Sequence, residues 1–360
     1  MTIFLHIGTH KTGTTAIQRY LARNRDNLKN LGIWYPRESE LLQGGDDKHS
    51  HLINIARSLD PYSKSRTYNQ EQLKEIAGAL IKKSKAFEHT IISAEAFWRI
   101  GFGRLDPSGD PEPIWRRKAD NIASIRQLLG ADSDIRIIGV LRERSSYLQS
   151  SYSEFILATY YHQSINKFLD TMLHVADYNR QLKCWSEHFP VTAYSYESLC
   201  SHKDLPERFM TELIGSNPAF PEPENQKKRF NTSAPIPCVL IKRYLNGMRG
   251  LQREKLLKIY KKSNRLFAQT ASNAALAPLH AVNSWLTAKE IVKLRRRYLA
   301  EDGELRVQFC PAFVSGPTGK QALQEPGIKP LTREAQYLAL GWMLSQKQPT
   351  AAWFNPAPTP

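Results

Sequence analysis

Short β-like runs alternate with helical patterns through the first half of the chain, and this alternation restricts the fold more than any other feature. The strand-like runs are Ile3–Gly8, Gly32–Tyr35 (closed by Pro36), Thr90–Ser93, Asp134–Leu141 and Val191–Tyr196. Between them, helical spacing covers Gly13 to about Asn24, His51–Leu59, Gln72–Lys85, Asn121–Leu129, Ser145–Thr159 and Tyr178–His188. Strand, helix, strand in this rhythm predicts βαβ units and a parallel sheet flanked by helices. After about Ser201 the strand signal fades, and helices are expected at Leu205–Ile214, Val239–Asn246, Arg253–Ser263 and Ala288–Leu299. The chain therefore reads as an α/β protein: one domain over 1–345, with the core sheet in about 1–200 and a mainly helical elaboration in about 201–345. A Pro-rich, charged connection (Pro218–Lys228) and a flexible Pro/Ala-rich tail (346–360) complete it, and no internal repeat is visible.

Composition narrows the function classes. No apolar run approaches the roughly 18 to 20 residues of a membrane-spanning helix. Nor does a basic region followed by an apolar stretch precede the first strand, so no export signal is expected and the cytoplasm is the expected location. Cys184, Cys200, Cys238 and Cys310 are too scattered for a zinc pair, which points to reduced thiols and no structural metal. Fifty Lys and Arg against 34 Asp and Glu give a net charge of +16, which suits nucleic acid, an acidic glycan, an anionic membrane or a polyanionic nucleotide. Charge alone does not choose among them.

The turn after the first strand does. HIGTHKTGTT (His6–Thr15) ends a strand at Gly8, makes a glycine-bearing turn and starts a helix near Gly13. Backbone N–H groups converge at such a junction, and the helix dipole favours an anion there. The alternative is an ordinary strand-to-helix turn that happens to contain Gly and Thr, and Lys11 with two threonines at a strand–helix junction favours the anion site over it. Gly8 and Gly13 have the spacing of a Walker A loop, and Thr15 stands at its hydroxyl position, so the fold is expected to be P-loop-like. The lysine that should follow the second glycine is instead Thr14; the basic residue has moved into the loop, at Lys11. That placement weakens an ATP-dependent kinase reading, which needs a lysine on the terminal phosphates.

Lys11-Thr12-Gly13-Thr14-Thr15 resembles the 5′-phosphosulfate loop of sulfotransferases that use phosphoadenosine phosphosulfate (PAPS). A second segment, GVLRERSSYLQSSYSEF, is similar to that family's 3′-phosphate motif: Arg142 at a strand end and Ser150 eight residues on. The family's usual proline after the arginine is absent. Arg144 and Ser151 compete for the same roles, and a surface salt-bridge cluster is the alternative for Arg142–Arg144. LKNLGIWYP, TIISAEAFW and VTAYSYESL resemble the family more weakly. KRFNTSAP (Lys228–Pro235), with Arg229, resembles the basic stretch that closes over the nucleotide. Together these pieces span about Met1–Leu245.

The resemblance implies transfer of a sulfuryl group from PAPS to an acceptor hydroxyl, with no metal required. Lys11 would stabilise the leaving oxygen. Thr12, Gly13, Thr14, Thr15, Arg142, Ser150 and Arg229 would hold the donor. The proton acceptor is expected to be Glu95 or His51, with His49 a further alternative; His10 lies too close to the phosphate. The resemblance favours a glycan or glycolipid acceptor, and the basic surplus is compatible with an acidic glycan. The alternatives are a P-loop kinase and a basic nucleic-acid-binding protein. The latter has only the run Lys293–Arg297 (KLRRR) to support it, so no nucleic-acid partner is expected. Oligomeric state is not legible.

Overall fold

The computed structural model describes residues 1–43, 53–60, 66–101, 109–130, 132–201, 204–215, 234–248, 253–318 and 328–345. Five strands form one sheet: β1 (Thr2–His6), β2 (Ile33–Trp34), β3 (His89–Ser93), β4 (Ile135–Leu141) and β5 (Val191–Ser195). Each lies within two residues of a run expected from the alternation. All pairs are parallel, in the order β2-β3-β1-β4-β5, with His6 level with Ser93 on one side and Ile138 on the other. The chain lays β2 and β3 on one side of β1, then crosses to the other side for β4 and β5. The loop after β1 therefore sits at the point where the winding reverses, on the carboxyl edge of the sheet, where open α/β sheets hold ligands.

Successive residues of a strand point to opposite faces. Ile3 and Leu5 join an apolar layer with Leu73 and Ile76 of the helix Gln70–Ser84 and Ile125 of the helix Glu112–Leu129. On the opposite face, His6 packs against Phe209 of the helix Leu205–Ile214, ring centroids 4.8 Å apart. The helix Thr14–Arg23 packs on that same helix. With both faces covered, β1 and β4 are apolar almost throughout, as a buried parallel sheet requires.

Local chemistry sets the helix starts. Asn69 caps Gln70–Ser84: its Oδ1 accepts from the Gln72 N–H (2.9 Å), and Gln72 Oε1 accepts from the Asn69 N–H (3.0 Å). This reciprocal box moves the start two residues ahead of the expected Gln72. The helix expected from Asn121 begins at Glu112, with Pro113 in its first turn, where a missing N–H costs nothing. The expected Ala288–Leu299 is two elements, Ala288–Arg297 and Leu299–Gln308.

The described residues group into two compact units, and the grouping does not follow a single cut near residue 200. The first unit comprises those within Met1–Glu143, Thr171–Phe230 and Tyr298–Ser315; the second, those within Arg144–Asp170, Asn231–Arg297 and Gly316–Pro360. In the second unit the helix Arg144–Ala158 packs on Ile236–Asn246. The buried Lys242 donates to the carbonyls of Ile156 (3.4 Å) and Thr159 (3.3 Å), and Asn246 Nδ2 donates to the same two and to Tyr161 (2.8 Å). These bonds satisfy carbonyls that the end of a helix leaves open. All four cysteines are free thiols, Cys200 exposed and the other three buried. No helix among the described residues is long and apolar enough to cross a membrane.

Candidate active site

From β1 the chain stays beside β4: the N–H of Ile7 donates to Ile138 O (2.9 Å) and that of Thr9 to Val140 O (3.1 Å). It then turns at Lys11 (φ 67°) and Gly13 (φ 74°) and enters the helix Thr14–Arg23. Lys11 is exposed at the crest and is the only non-glycine residue with positive φ among those described. Gly13 precedes the helix in a left-handed conformation, and no side chain caps it. Helix N-terminal amides left without a side-chain cap are what an anion recognises. Thr12 and Thr14 are buried, and their hydroxyls donate to the Thr9 carbonyl at 2.5 and 3.5 Å, bracing the loop from within. Thr15 is half-buried in the first helical turn.

Beneath the loop lies His6, fully buried, its Nδ1 2.8 Å from Ser93 Oγ and its Nε2 without a hydrogen-bond partner. A Cβ on Gly8 would come within 2.8 Å of that Nε2, so the close approach of loop and imidazole demands glycine. Burial pushes the His6 pKa down to about 3, so the ring is neutral. From the helix Thr14–Arg23, buried Gln18 donates to both Ser93 O and Glu95 Oε2, each at 3.0 Å. Glu95 opens the 3₁₀ turn Glu95–Arg99 directly after β3, and Gln18 thus ties it to the helix that the loop feeds.

Arg142 follows β4 and reaches the loop: its Nη1 donates to Lys11 O at 3.3 Å, and its guanidinium lies 5.4 Å from the Tyr196 ring centre. Its own carbonyl accepts from Tyr178 Oη (2.9 Å). Beside it, the Glu143 N–H donates to Glu197 Oε1 (2.9 Å), and burial raises the Glu197 carboxyl above the usual range. Arg144, the competing arginine, is buried and groups with the second unit. Half-buried Ser150 and buried Ser151 lie on the helix Arg144–Ala158 of that unit.

Lys11, Glu95 and Arg142 thus leave the carboxyl ends of the three adjacent strands β1, β3 and β4. The chain matches no family model, no curated protein and no solved structure. Function is therefore argued from this cluster. His49, His51 and Arg229 lie outside the described residues. Among the described residues, no three His, Cys, Asp or Glu side chains come together as a metal site would require. The sequence reading missed Gln18, His6, Tyr178 and Glu197. Gln18 had a faint signal, a polar residue on the apolar stripe of Ile17 and Leu21; Tyr178 and Glu197 had none, because only the tertiary fold brings them to Arg142.

Proposed function

We propose that the chain is a sulfotransferase moving a sulfuryl group from PAPS to an acceptor hydroxyl, probed first through its desulfated product, phosphoadenosine phosphate. The observation that carries the reading is Lys11 at the crest of an uncapped strand-to-helix loop, with Arg142 bound to its carbonyl. PAPS supplies an activated sulfuryl group and two phosphates. The loop amides suit one anionic end, and Arg142, planar and able to grip two oxygens, suits the other phosphate. The Lys11 ammonium offsets negative charge on the oxygen that leaves sulfur. Glu95, held by Gln18 at the neighbouring strand end, takes the proton of the attacking hydroxyl. The acceptor O–S bond forms as the S–O bond to the phosphate breaks, so no oxidant or further reactant is needed.

Calorimetry with phosphoadenosine phosphate, 5′-AMP and Mg-ATP tests this. Micromolar binding of the bisphosphate, with the other two far weaker, is the expected result. Preference for Mg-ATP would overturn the reading in favour of a kinase. That outcome is disfavoured by Thr14, which occupies the kinase lysine's position and turns its hydroxyl onto Thr9.

A further inference from the structure

His6 ends β1 fully buried, with Nδ1 2.8 Å from Ser93 Oγ and with Nε2 facing Gly8 and lacking a hydrogen-bond partner. Burial keeps the ring neutral, so it carries one proton, and the bonding of Ser93 decides which nitrogen holds it. The Ser93 hydroxyl is buried as well and has His6 Nδ1 as its one partner among the described residues. A proton on Nδ1 would leave two groups unsatisfied, the Ser93 hydroxyl hydrogen and the Nε2 lone pair. With the hydroxyl donating to Nδ1, a single group is left over, the Nε2–H. The less costly arrangement therefore places the proton on the nitrogen that faces the loop. Phe209 packs on the ring and Ser93 holds its other nitrogen, so the direction of this donor is fixed.

The position that a Gly8 side chain would take is bordered by His6 Nε2 at 2.8 Å and by Thr14 Oγ1 at 3.3 Å. Thr14 is the first residue of the helix Thr14–Arg23, whose N-terminus has no side-chain cap. Its hydroxyl is loosely held. It donates to Thr9 O at 3.5 Å, a carbonyl that Thr12 already engages at 2.5 Å. A separation of 3.5 Å lies beyond the usual range for two oxygens, and an ionised oxygen is a stronger acceptor than a shared carbonyl.

We infer that His6 is a positioning residue for the anion held by the loop: its Nε2–H donates to Thr14 Oγ1, and the Thr14 hydroxyl donates onward to an anion oxygen at the helix N-terminus. His6 and Thr14 then each accept one bond and give one, in a line that starts at Ser93 and ends on the ligand. A hydroxyl that accepts from His6 sends its own hydrogen outward, which suits oxygens that only accept, those of phosphate and sulfate. The sulfotransferase reading identifies that anion as the 5′-phosphosulfate end of the donor, and the inference rests on it for that identity alone.

NMR of the full chain carrying isotope-labelled histidine tests this, with titrations of inorganic sulfate and of phosphoadenosine phosphate. The free protein should show the His6 proton on Nε2, and each anion should move that resonance downfield as the bond to Thr14 forms. Calorimetry adds two variants, because a glutamine amide reaches the place of Nε2 and an asparagine amide reaches only that of Nδ1. His6→Asn should weaken the bisphosphate about tenfold or more, and His6→Gln should restore its affinity to within about threefold of the wild type. A proton found on Nδ1, an Nε2–H that stays unmoved while the bisphosphate binds, or an unweakened His6→Asn would each overturn the role of His6 and leave the donor reading standing. Should the bisphosphate fail to bind while sulfate still moves the Nε2–H, the donor reading falls and the line from His6 to Thr14 stands. If neither anion binds, both fall. The titrations of the wild type decide even if a variant folds poorly.

Discussion

At the residue scale, Lys11 combines a functional ammonium with a backbone conformation that costs a non-glycine residue about 1 kcal/mol. Lys11→Gly separates the two: it relieves the strain and removes the charge. Stability to urea should hold or rise by up to about 1 kcal/mol, while single-turnover transfer from PAPS falls about a hundredfold or more. A variant that keeps its rate would remove Lys11 from the chemistry. His6 yields a pH prediction. Its pKa is about 3 in the fold against the usual 6.5 in the unfolded chain, so between those values only the unfolded chain takes up the proton. Its contribution to stability is complete above pH 6.5 and is lost as pH falls toward 3, by up to about 1.4 kcal/mol per pH unit. Urea melts at pH 7.5, 6 and 5 should show the decline, and His6→Asn should flatten it, leaving the part due to His10, which has the same sign. An unaltered slope would mean that His6 is protonated in the native state. The loop itself was legible in the sequence because Gly8, Lys11 and Gly13 announce it. The inward turn of Thr12 and Thr14 was not, because nothing in the residue types says which acceptor a hydroxyl chooses.

At the scale of elements, the turn that carries Glu95 is held at both ends. Gln18 holds Glu95 itself; at the other end the fully buried Lys118 donates to Trp98 O (2.9 Å) and Ile100 O (3.4 Å). Gly101 (φ 74°) closes the turn so tightly that a Cβ there would lie 2.7 Å from Lys118 Cα. The same lysine explains why the start of its helix escaped the sequence reading. Buried positions run Ile114, Trp115, Lys118, Asn121, Ile122 and Ile125, and two polar residues on that stripe hide the apolar period. The five strands were read within two residues even though β1, β3 and β5 carry buried polar residues such as His6, Thr90 and Ser195. Lys118→Met keeps the volume but strands two carbonyls, at a cost of about 1–3 kcal/mol. Transfer should fall through a looser Glu95, with bisphosphate affinity unchanged in calorimetry. Burial lowers the Lys118 pKa to about 7. Above that pH the unfolded chain holds the proton that the native state has released, so wild-type stability rises from pH 7 toward the ordinary lysine range. The deficit of Lys118→Met should therefore widen between pH 7 and pH 9; a constant deficit would mean that Lys118 stays charged in the fold.

At the scale of the whole molecule, the question is where a charge of +16 is used. The sequence showed the surplus and could not show its distribution, nor that residues 144–170 group with segments beyond 230, because local patterns do not report which helices share a core. In the second unit two of the four cations of the KLRRR run hold carbonyls: Arg295 is buried with Nη1 on Pro317 O (3.2 Å), and the exposed Arg296 donates from Nε to Thr318 O (3.2 Å). In the first unit Arg306 Nε donates to Phe313 O (3.0 Å). Around the loop, by contrast, Lys11 and Arg142 come from separate segments of the first unit and meet at the Lys11 carbonyl. Dispersed charge binds a polyanion through counterion release and weakens steeply with salt, whereas amides and guanidinium groups aimed at one small anion lose much less. Titrations at low and at physiological salt should therefore show duplex DNA binding that collapses over that interval, while phosphoadenosine phosphate affinity falls only a few-fold, on the order of threefold. Duplex binding that persists at high salt, with the bisphosphate weak throughout, would locate the purpose of the basic surplus on a nucleic-acid backbone and remove the loop from the centre of the mechanism.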